Sequence, residues 1–259
     1  MYLVKSCYQR DHLLVSGTIK IGSLNEYKEH EESQIVDAYE GTYDLHIKLE
    51  NYHMHNHLWN YLNFHHDSLV MLNINSMDYY YKEVLFQGCF FIHKLDASIT
   101  LSNKNRFIFC MSRLQSGEDA IGMFNNYDSY WSFNEKHAWE VGDLIGKSLK
   151  REVINRLKQG EQIFEAQEGI NPDKIEAKQT LQYIDYTPRS KELTNIDFYT
   201  NQNFILSLFK KIKFIKPAKF SPEKEIRYVF DFYYNDKLLH PKINFIIISA
   251  PNLSFILKK

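Results

Sequence analysis

The segment FSPEKEIRYVF, residues 220 to 230, places two carboxylates and a guanidinium at alternate positions of a predicted strand. Because side chains alternate across a strand, Glu223, Glu225 and Arg227 should share one face, with the apolar residues between them on the other. A carboxylate held in this way at the mouth of a site could act in acid–base or charge-stabilising catalysis. The alternative interpretation is a solvated sheet face on which the charges pair within the strand.

A second candidate is the histidine cluster HMHNH, residues 53 to 57. In a strand, His53, His55 and His57 would line one face, and such imidazole clusters bind zinc and can support a metal-dependent nuclease. However, no carboxylate or cysteine follows at a ligand-like spacing. The flanking sequence LWNYLNF indicates a helix, which would point the three rings in different directions. We therefore expect surface histidines and no metal site.

Two further segments carry polar side chains that could bind a ligand. In IGSLNEYKEHEESQIVDAYEG, residues 21 to 41, Ser23, Tyr27, Asp37 and Glu40 could line a pocket, although a structural loop is an equally good interpretation. The segment KKIKFIKPAKF contains five lysines with interleaved phenylalanines. It could hold a nucleic-acid backbone or a diphosphate, or it could simply be a solvated helix end and strand edge.

Composition restricts the class of protein. The 259 residues include 31 basic and 32 acidic side chains, so overall charge does not favour nucleic acid or membrane as a partner. The three cysteines are odd in number and lie in apolar contexts, which is typical of reduced thiols in a cytosolic protein. The sequence has neither a signal-peptide pattern nor an apolar run of membrane-spanning length. We therefore expect a cytoplasmic protein that does not bind membranes.

The predicted elements alternate without regular βαβ units, which favours an α+β fold with mostly antiparallel sheets and flanking helices. We expect one domain, residues 1–259, with 44–90 as a possible insertion. The predicted helices lie in QRDHLLVSG, which Gly17 should close, in WEVGDLIGKSLKREVINRLKQG and in NQNFILSLFKKI. The clearest predicted strands are MYLVKSC, TIKIGSL, NRFIFCMS, EIRYVFDFYY, INFIIIS and LSFILKK.

The order of several short motifs resembles a known group of bacterial proteins. These motifs are YLVKS, LLVSGTIKIGSLNEYKEHEESQIVDAYEG, FIFCMS, MFNNYDSYW, LQYIDY and KFIKPAKFSPEKEIRYVF. Members of that group are similar to distant ADP-ribosyltransferases, several of which act as toxins or antiphage effectors. The resemblance implies two antiparallel sheets around a cleft that binds NAD, which serves as a substrate.

The resemblance also implies roles for individual residues. Glu225 would stabilise the positive charge that develops on the ribose when the nicotinamide bond breaks, and Glu223 would orient or deprotonate the acceptor. The other implied NAD-binding residues are Lys5, Ser6, Tyr27, Ser112, Tyr127 and Arg227, with Arg10, Ser23, Asp37 and Glu40 as further pocket candidates. In that family Arg or His usually stands on the first strand, where this chain has Lys5.

The expected function is therefore ADP-ribosyl transfer to a cytoplasmic macromolecule, either protein or nucleic acid, by a toxin or defence effector that an antitoxin or regulatory partner could restrain. One alternative is a hydrolase of NAD or of another nucleotide that uses the same cleft. Another is a non-catalytic ligand-sensing or binding module that kept the fold and lost the chemistry, an interpretation favoured by Lys5.

Overall fold

The computed structural model describes residues 1–29, 37–63, 70–82, 88–250 and 253–257. Its strands are β1 Tyr2–Cys7, β2 Thr18–Ser23, β3 Thr42–His55, β4 Val70–Lys82, β5 Cys89–Asn103, β6 Phe107–Leu114, β7 Ser129–Asn134, β8 Glu176–Tyr183, β9 Asp185–Tyr186, β10 Ser190–Leu193, β11 Ile215–Lys216, β12 Glu225–Tyr234, β13 Lys237–Leu239 and β14 Phe245–Ser249. Its α-helices are α1 Leu13–Ser16, α2 Leu24–Glu29, α3 Asn56–Asn63, α4 Ala138–Lys158, α5 Asn195–Thr200, α6 Gln202–Lys211 and α7 Ser254–Leu257. The predicted α+β class with mostly antiparallel sheets is confirmed.

The chain divides into two compact units. The first comprises Met1–Glu40, Asn105–Tyr186 and Ala218–Lys259, and the second comprises Gly41–Lys104 and Thr187–Pro217. The region 44–90, predicted as a possible insertion, contains β3, α3, β4 and the start of β5 in the second unit. Residues 64–69 and 83–87 of that region lie outside the described residues.

The first unit is built on a sheet whose central strands run in the order β13-β12-β6-β1-β7. Strand β8 pairs with β12, while β2 pairs with both β6 and β14. All of these pairings are antiparallel. Strand β6 is bordered by β12 on one edge and by both β1 and β2 on the other. It is therefore the central strand that connects these three strands in one sheet.

Helix α4 covers one face of this sheet. Its buried residues Val141, Ile145, Leu149 and Val153 recur at a spacing of four and form a single apolar stripe. The stripe belongs to a hydrophobic core with alternate residues of the central strands, which include Leu3, Phe109, Met111, Ile226, Tyr228 and Phe230. The residues between them, Val4, Ser6, Cys110, Ser112, Glu225 and Arg227, therefore lie on the opposite face.

The second unit contains a four-stranded sheet in the order β10-β3-β5-β4 among the described residues. Strand β10 is parallel to β3, whereas the β3–β5 and β4–β5 pairs are antiparallel. Buried and exposed residues alternate along most of β3, so one face of this sheet is buried. That face packs against Phe198 of α5 and against Ile205 and Leu208 of α6.

One local prediction is confirmed, because Gly17 ends α1 in the left-handed conformation (φ 65°). Asn235 and Asp236, both with positive φ, form the turn between β12 and β13. The predicted strand in LSFILKK is wrong, because Ser254–Leu257 form a short helix that places Leu253 and Ile256 in the core. Such a short apolar run fits either structure, since its spacing alone does not distinguish a strand from one helical turn. Across the described part of the chain, none of the helices has the length and apolar character needed to cross a membrane.

Candidate functional site

The main candidate site lies along one edge of β6, where β1 and β2 both pair with this strand. Strand β2 pairs with this edge at Phe107 and Ile108, and β1 pairs with it from Ser112 to Leu114. Between these two points, β1 and β2 separate and leave a cleft of about 240 Å³, here named the β1–β2 cleft. Its lining includes the charged residues Lys5, Asp11, Lys20 and Glu26 and the aromatic residues Tyr8, Tyr27, Phe109, Tyr127 and Trp131.

Lys5 places a cation over an aromatic surface in this cleft. Its Nζ lies 5.3 Å from the centroid of the Phe109 ring. Phe109 in turn stacks on Trp131, with ring centroids 6.1 Å apart and an interplanar angle of 17°. A cation next to stacked rings suits a ligand that has both a planar base and an anionic group.

Four of the predicted binding residues line the same cleft: Lys5, Ser6, Tyr27 and Tyr127. Tyr127 contacts Tyr8 edge-on, with ring centroids 5.3 Å apart, and Tyr27 is buried. The β1–β2 cleft therefore brings together residues that are up to 122 positions apart, the separation of Lys5 and Tyr127.

Two buried oxygens in the cleft lack a hydrogen-bond partner among the described residues: Ser6 Oγ and Glu26 Oε2. The Glu26 side chain is only 3% exposed, and its Oε1 forms an ion pair with Lys20 Nζ. Buried polar atoms are nearly always hydrogen-bonded, so these two oxygens indicate a ligand or solvent partner. Sequence reasoning missed Glu26, which resembles any other acidic residue of a polar segment.

A second group of charged residues lies on the sheet face opposite α4, and we name Glu40, Glu225 and Arg227 the Arg227 cluster. Arg227 Nε donates to Glu225 Oε1 at 2.8 Å, and Arg227 Nη1 donates to Glu40 Oε1 at 2.9 Å. The three side chains are between 0% and 4% exposed. The charges of this strand are therefore buried, so the predicted alternative of a solvated face is wrong, whereas its pairing of charges within the strand is confirmed by Glu225 and Arg227.

Burial alone would lower the pKa of Arg227, but the Glu225 and Glu40 carboxylates outweigh it and raise that pKa well above its ordinary value. The guanidinium consequently stays charged inside the protein. It also fixes the orientation of the Glu225 carboxylate at the first residue of β12.

Ser112 lies beside Glu225, as expected for the middle strand of the predicted site. Glu225 pairs with Ser112, which pairs with Val4 of β1, so the three residues form one row across three strands. The Ser112 hydroxyl lies 3.4 Å from Met123 Sδ, and the Glu225 amide donates to the Tyr186 hydroxyl at 2.7 Å.

Ser6 lines the β1–β2 cleft and is related to the Arg227 cluster by its strand position. It is two residues beyond Val4 on β1, and therefore faces the same side of the sheet as Ser112 and Glu225. A row of three strands spans about 10 Å, which is within the length of a dinucleotide. Glu225 is not among the residues that line the described β1–β2 cleft.

Glu223 does not share a strand face with Glu225, and this prediction is wrong. It ends the 3₁₀ helix Ala218–Glu223, and Lys224 follows with a φ of 46° before β12 begins. This break removes the period-two relationship that the spacing of the charges indicated. The E-x-E-x-R spacing is therefore not a property of one strand.

The remaining pocket candidates, Arg10, Ser23 and Asp37, do not line the described β1–β2 cleft. Arg10 lies in the 3₁₀ turn Gln9–Asp11, where its side chain is 81% exposed next to Asp11, and it does not line the described cleft. Ser23 is buried and its Oγ accepts the Glu26 amide hydrogen at 3.4 Å. Asp37 is also buried, and its backbone carbonyl accepts the Glu40 amide hydrogen at 2.7 Å.

His53 and His55 are surface histidines as predicted, whereas the lysine segment is only partly solvated. His53 and His55 are exposed on β3, but β3 ends at His55, so His57 belongs to α3. In the part of the chain that is described, no three His, Cys, Asp or Glu residues group as metal ligands. Of the five lysines in KKIKFIKPAKF, Lys213 and Lys216 are buried, so the segment does not present a continuous basic surface.

No protein-family model, curated protein or solved structure matches this chain. The assignment of function therefore depends on the chemistry of the β1–β2 cleft and of the Arg227 cluster.

Proposed function

We propose that the protein binds NAD in the β1–β2 cleft, cleaves the nicotinamide–ribose bond and transfers ADP-ribose to a cytoplasmic macromolecule. In this proposal the fold is an ADP-ribosyltransferase-like arrangement of sheets, and the protein acts as a toxin or antiphage-defence effector. The acceptor is a protein or a nucleic acid, and an antitoxin or regulatory partner restrains the activity.

The observation that carries the proposal is the position of Lys5 over the stacked Phe109 and Trp131 rings, where β1 and β2 separate. Both rings belong to the hydrophobic core but line the cleft, so they offer an aromatic wall against which nicotinamide or adenine can pack, and the ammonium offers a partner for the pyrophosphate. In this proposal Lys5 on the first strand contacts NAD in place of the Arg or His that is usual in the proteins that this chain resembles. Ser6 Oγ, which is buried without a partner among the described residues, is available to a polar group of the same ligand.

Glu225 is the proposed catalytic carboxylate. It faces the side of the sheet opposite Lys5 and Phe109, so the proposal requires the nicotinamide ribose to reach it from the β1–β2 cleft through the gap between β1 and β2. Bond cleavage develops positive charge on the ribose, which a fixed carboxylate stabilises as in glycoside hydrolysis. Arg227 holds Glu225 at the start of β12, and Ser112 lies next to it on β6. In this scheme Arg227 is a positioning residue, because its own side chain is fully buried.

The test compares wild type, Glu225→Gln and Glu40→Gln, each incubated with adenylate-labelled NAD and a whole bacterial lysate. Both substitutions remove one carboxylate charge from Arg227, so they are matched in their effect on the buried ion pairs. Nicotinamide release and label in protein, RNA and DNA are counted separately, and circular dichroism checks that each variant is folded. We expect Glu225→Gln to abolish both signals and Glu40→Gln to retain most of them.

The outcomes also separate the alternatives. Label in one macromolecular fraction identifies a transferase and its acceptor class, whereas nicotinamide release without label identifies an NAD hydrolase. If wild type neither binds nor consumes NAD, the proposal is wrong.

A non-catalytic ligand-binding module is the second candidate, and one observation favours it. Glu225 is 4% exposed and already forms an ion pair, so its carboxylate has a structural role that needs no substrate. Such a module would bind NAD without turnover. Equal effects of Glu225→Gln and Glu40→Gln on stability, with binding but no turnover in wild type, would support it.

A further inference from the structure

The Glu26 carboxylate is the buried acidic group of the β1–β2 cleft. One of its oxygens, Oε1, pairs with Lys20 Nζ, and the Lys20 side chain is about half exposed (52%). The other oxygen, Oε2, is buried and has no hydrogen-bond partner among the described residues. A buried carboxylate oxygen without a donor is strongly unfavourable, so the site is complete only when a donor is present.

The Glu26 side chain occupies the space that Gly22 of β2 leaves open. A Cβ atom at Gly22 would lie 2.5 Å from Glu26 Oε2 and 2.8 Å from Tyr27 Cε2, so only glycine leaves room for both side chains. The Glu26 amide donates to Ser23 Oγ at 3.4 Å, which ties the start of α2 to the end of β2. The carboxylate therefore lies against bare backbone in the wall of the cleft.

The two charged groups suit different parts of a ligand, because an ammonium donates hydrogen bonds and a carboxylate accepts them. Lys5, over the Phe109 ring, suits an anionic group of the ligand. Glu26 is paired with the Lys20 ammonium, and the oxygens of a carboxylate only accept hydrogen bonds, so Oε2 suits a hydroxyl or amine hydrogen and repels a phosphate. A ligand in this cleft should therefore place its phosphates away from Glu26 and a neutral donor next to it.

We propose that Glu26 is a specificity-determining residue, which accepts a hydrogen bond from a neutral donor of the adenosine half of NAD, either its 2′-hydroxyl or the exocyclic amine of adenine. The inference rests on the proposed function, because it assumes that NAD occupies the β1–β2 cleft. If the donor is the adenosine 2′-hydroxyl, the protein discriminates against NADP, whose 2′-phosphate would meet the carboxylate. If the donor is the adenine amine, the protein discriminates against nicotinamide hypoxanthine dinucleotide, which lacks it.

The experiment is isothermal titration of NAD, NADP and nicotinamide hypoxanthine dinucleotide into wild type, Glu26→Gln and Glu26→Ala. We expect wild type to bind NAD roughly 10- to 100-fold more tightly than one of the two analogues, since a lost or repelled charged hydrogen bond has effects of this size. Which analogue is rejected identifies the donor. In Glu26→Ala the preference should disappear, and in Glu26→Gln the rejection of a 2′-phosphate should weaken because the negative charge is gone.

Glu168→Gln is the matched control, because Glu168 is exposed and does not line the described cleft. It should leave all three affinities unchanged. If wild type binds the three dinucleotides equally, or if Glu26→Ala keeps the preference of wild type, the inference is wrong while NAD binding stands. If wild type binds none of them, the proposed function fails together with the inference. The wild-type comparison needs no variant, so a folding defect in Glu26→Ala does not affect it.

Discussion

Glu40 Oε1 lies 2.9 Å from Arg227 Nη1, although the two residues are 187 positions apart in the chain. Glu40 follows the turn at Asp37, whereas Arg227 is the third residue of β12. The ion pair thus attaches the segment that follows α2 to the centre of the sheet in the first unit. Because Glu225 occupies the other side of the guanidinium, one arginine organises two carboxylates without access to solvent.

The first prediction concerns the stability of this cluster. Arg227→Leu leaves the Glu40 and Glu225 carboxylates buried without a cation, so it should lower the free energy of unfolding by about 3–5 kcal/mol. Arg227→Lys should restore little of this, because one ammonium cannot reproduce the two directions of the guanidinium donors. Urea denaturation followed by circular dichroism measures the difference.

Arg113→Leu is the control for this measurement. Arg113 also donates to a carboxylate, Glu135 Oε1 at 2.7 Å, but its side chain is 39% exposed. Solvent-exposed pairs contribute only about 0–1 kcal/mol, so this substitution should have a small effect. Equal effects of Arg227→Leu and Arg113→Leu would contradict the structural role assigned to the Arg227 cluster.

Local sequence patterns predicted the direction of the charged side chains on β12 but not their environment. The alternation in EIRYVF placed Glu225 and Arg227 on one face, and the structure confirms it. Their burial depends on Glu40, which comes from a distant segment that no periodicity relates to β12. Glu223 was misplaced because the spacing of its charge continued the pattern, whereas the 3₁₀ helix that contains Pro222 and the positive φ of Lys224 mean that the strand begins only at Glu225.

The β1–β2 cleft was predictable only in part. Lys5, Ser6, Tyr27 and Tyr127 were each candidates from the sequence, but their convergence requires β6 to pair with two strands at different points of one edge. Strand pairing of this kind is a long-range property that is decided by the whole core. A short polar helix such as α2 gives no sign of which of its carboxylates turns inward, and for this reason Glu26 was missed.

The second prediction tests the close packing of α4 on the sheet. A Cβ at Gly142 would lie 2.8 Å from Tyr228 Cε1 and 2.7 Å from Gln179 Oε1, whereas a Cβ at Gly146 would lie 3.5 Å from Phe230 Cε1. Gly142→Ala should therefore lower stability by about 1–3 kcal/mol through overpacking. Gly146→Ala should raise it by up to about 1 kcal/mol, because alanine has the higher helix propensity and its methyl group fits.

Thermal melts of the two variants measure this difference directly, since both replace a glycine by alanine in the same helix. The helix-propensity gain is the same at each position, so the difference between the variants reports the contact with Tyr228 and Gln179. A Gly142→Ala variant as stable as Gly146→Ala would show that α4 can move away from the sheet without loss.

The third prediction concerns ligand binding in the cleft. Lys5→Ala removes the cation over Phe109, so it should weaken NAD binding by roughly 10-fold or more, the usual effect of losing a charged hydrogen-bond partner. Arg10→Ala is the control, because Arg10 was also a candidate from the sequence but is 81% exposed and does not line the described cleft. Quenching of tryptophan fluorescence, to which the cleft-lining Trp131 contributes, can follow the titration. If both variants bind as wild type does, NAD does not use Lys5.

The fourth prediction is a pH dependence of stability that arises from Cys7 on β1. Burial raises the pKa of this thiol from 9.0 to about 11, with Lys5 opposing the shift and Asp11 and Asp128 adding to it. Between these two values the unfolded chain has lost the thiol proton while the folded protein keeps it. The unfolded state then binds fewer protons than the folded state, so the free energy of unfolding falls as the pH rises through this window.

Urea denaturation of wild type and Cys7→Ala at pH 8 and pH 10.5 isolates this contribution, because other groups that titrate in the window are common to both proteins. Wild type should lose about 1–2 kcal/mol more than Cys7→Ala over this interval, since each unit of pKa shift corresponds to about 1.4 kcal/mol. Parallel losses in the two proteins would mean that Cys7 titrates normally. Its side of the β1–β2 cleft would then be open to water.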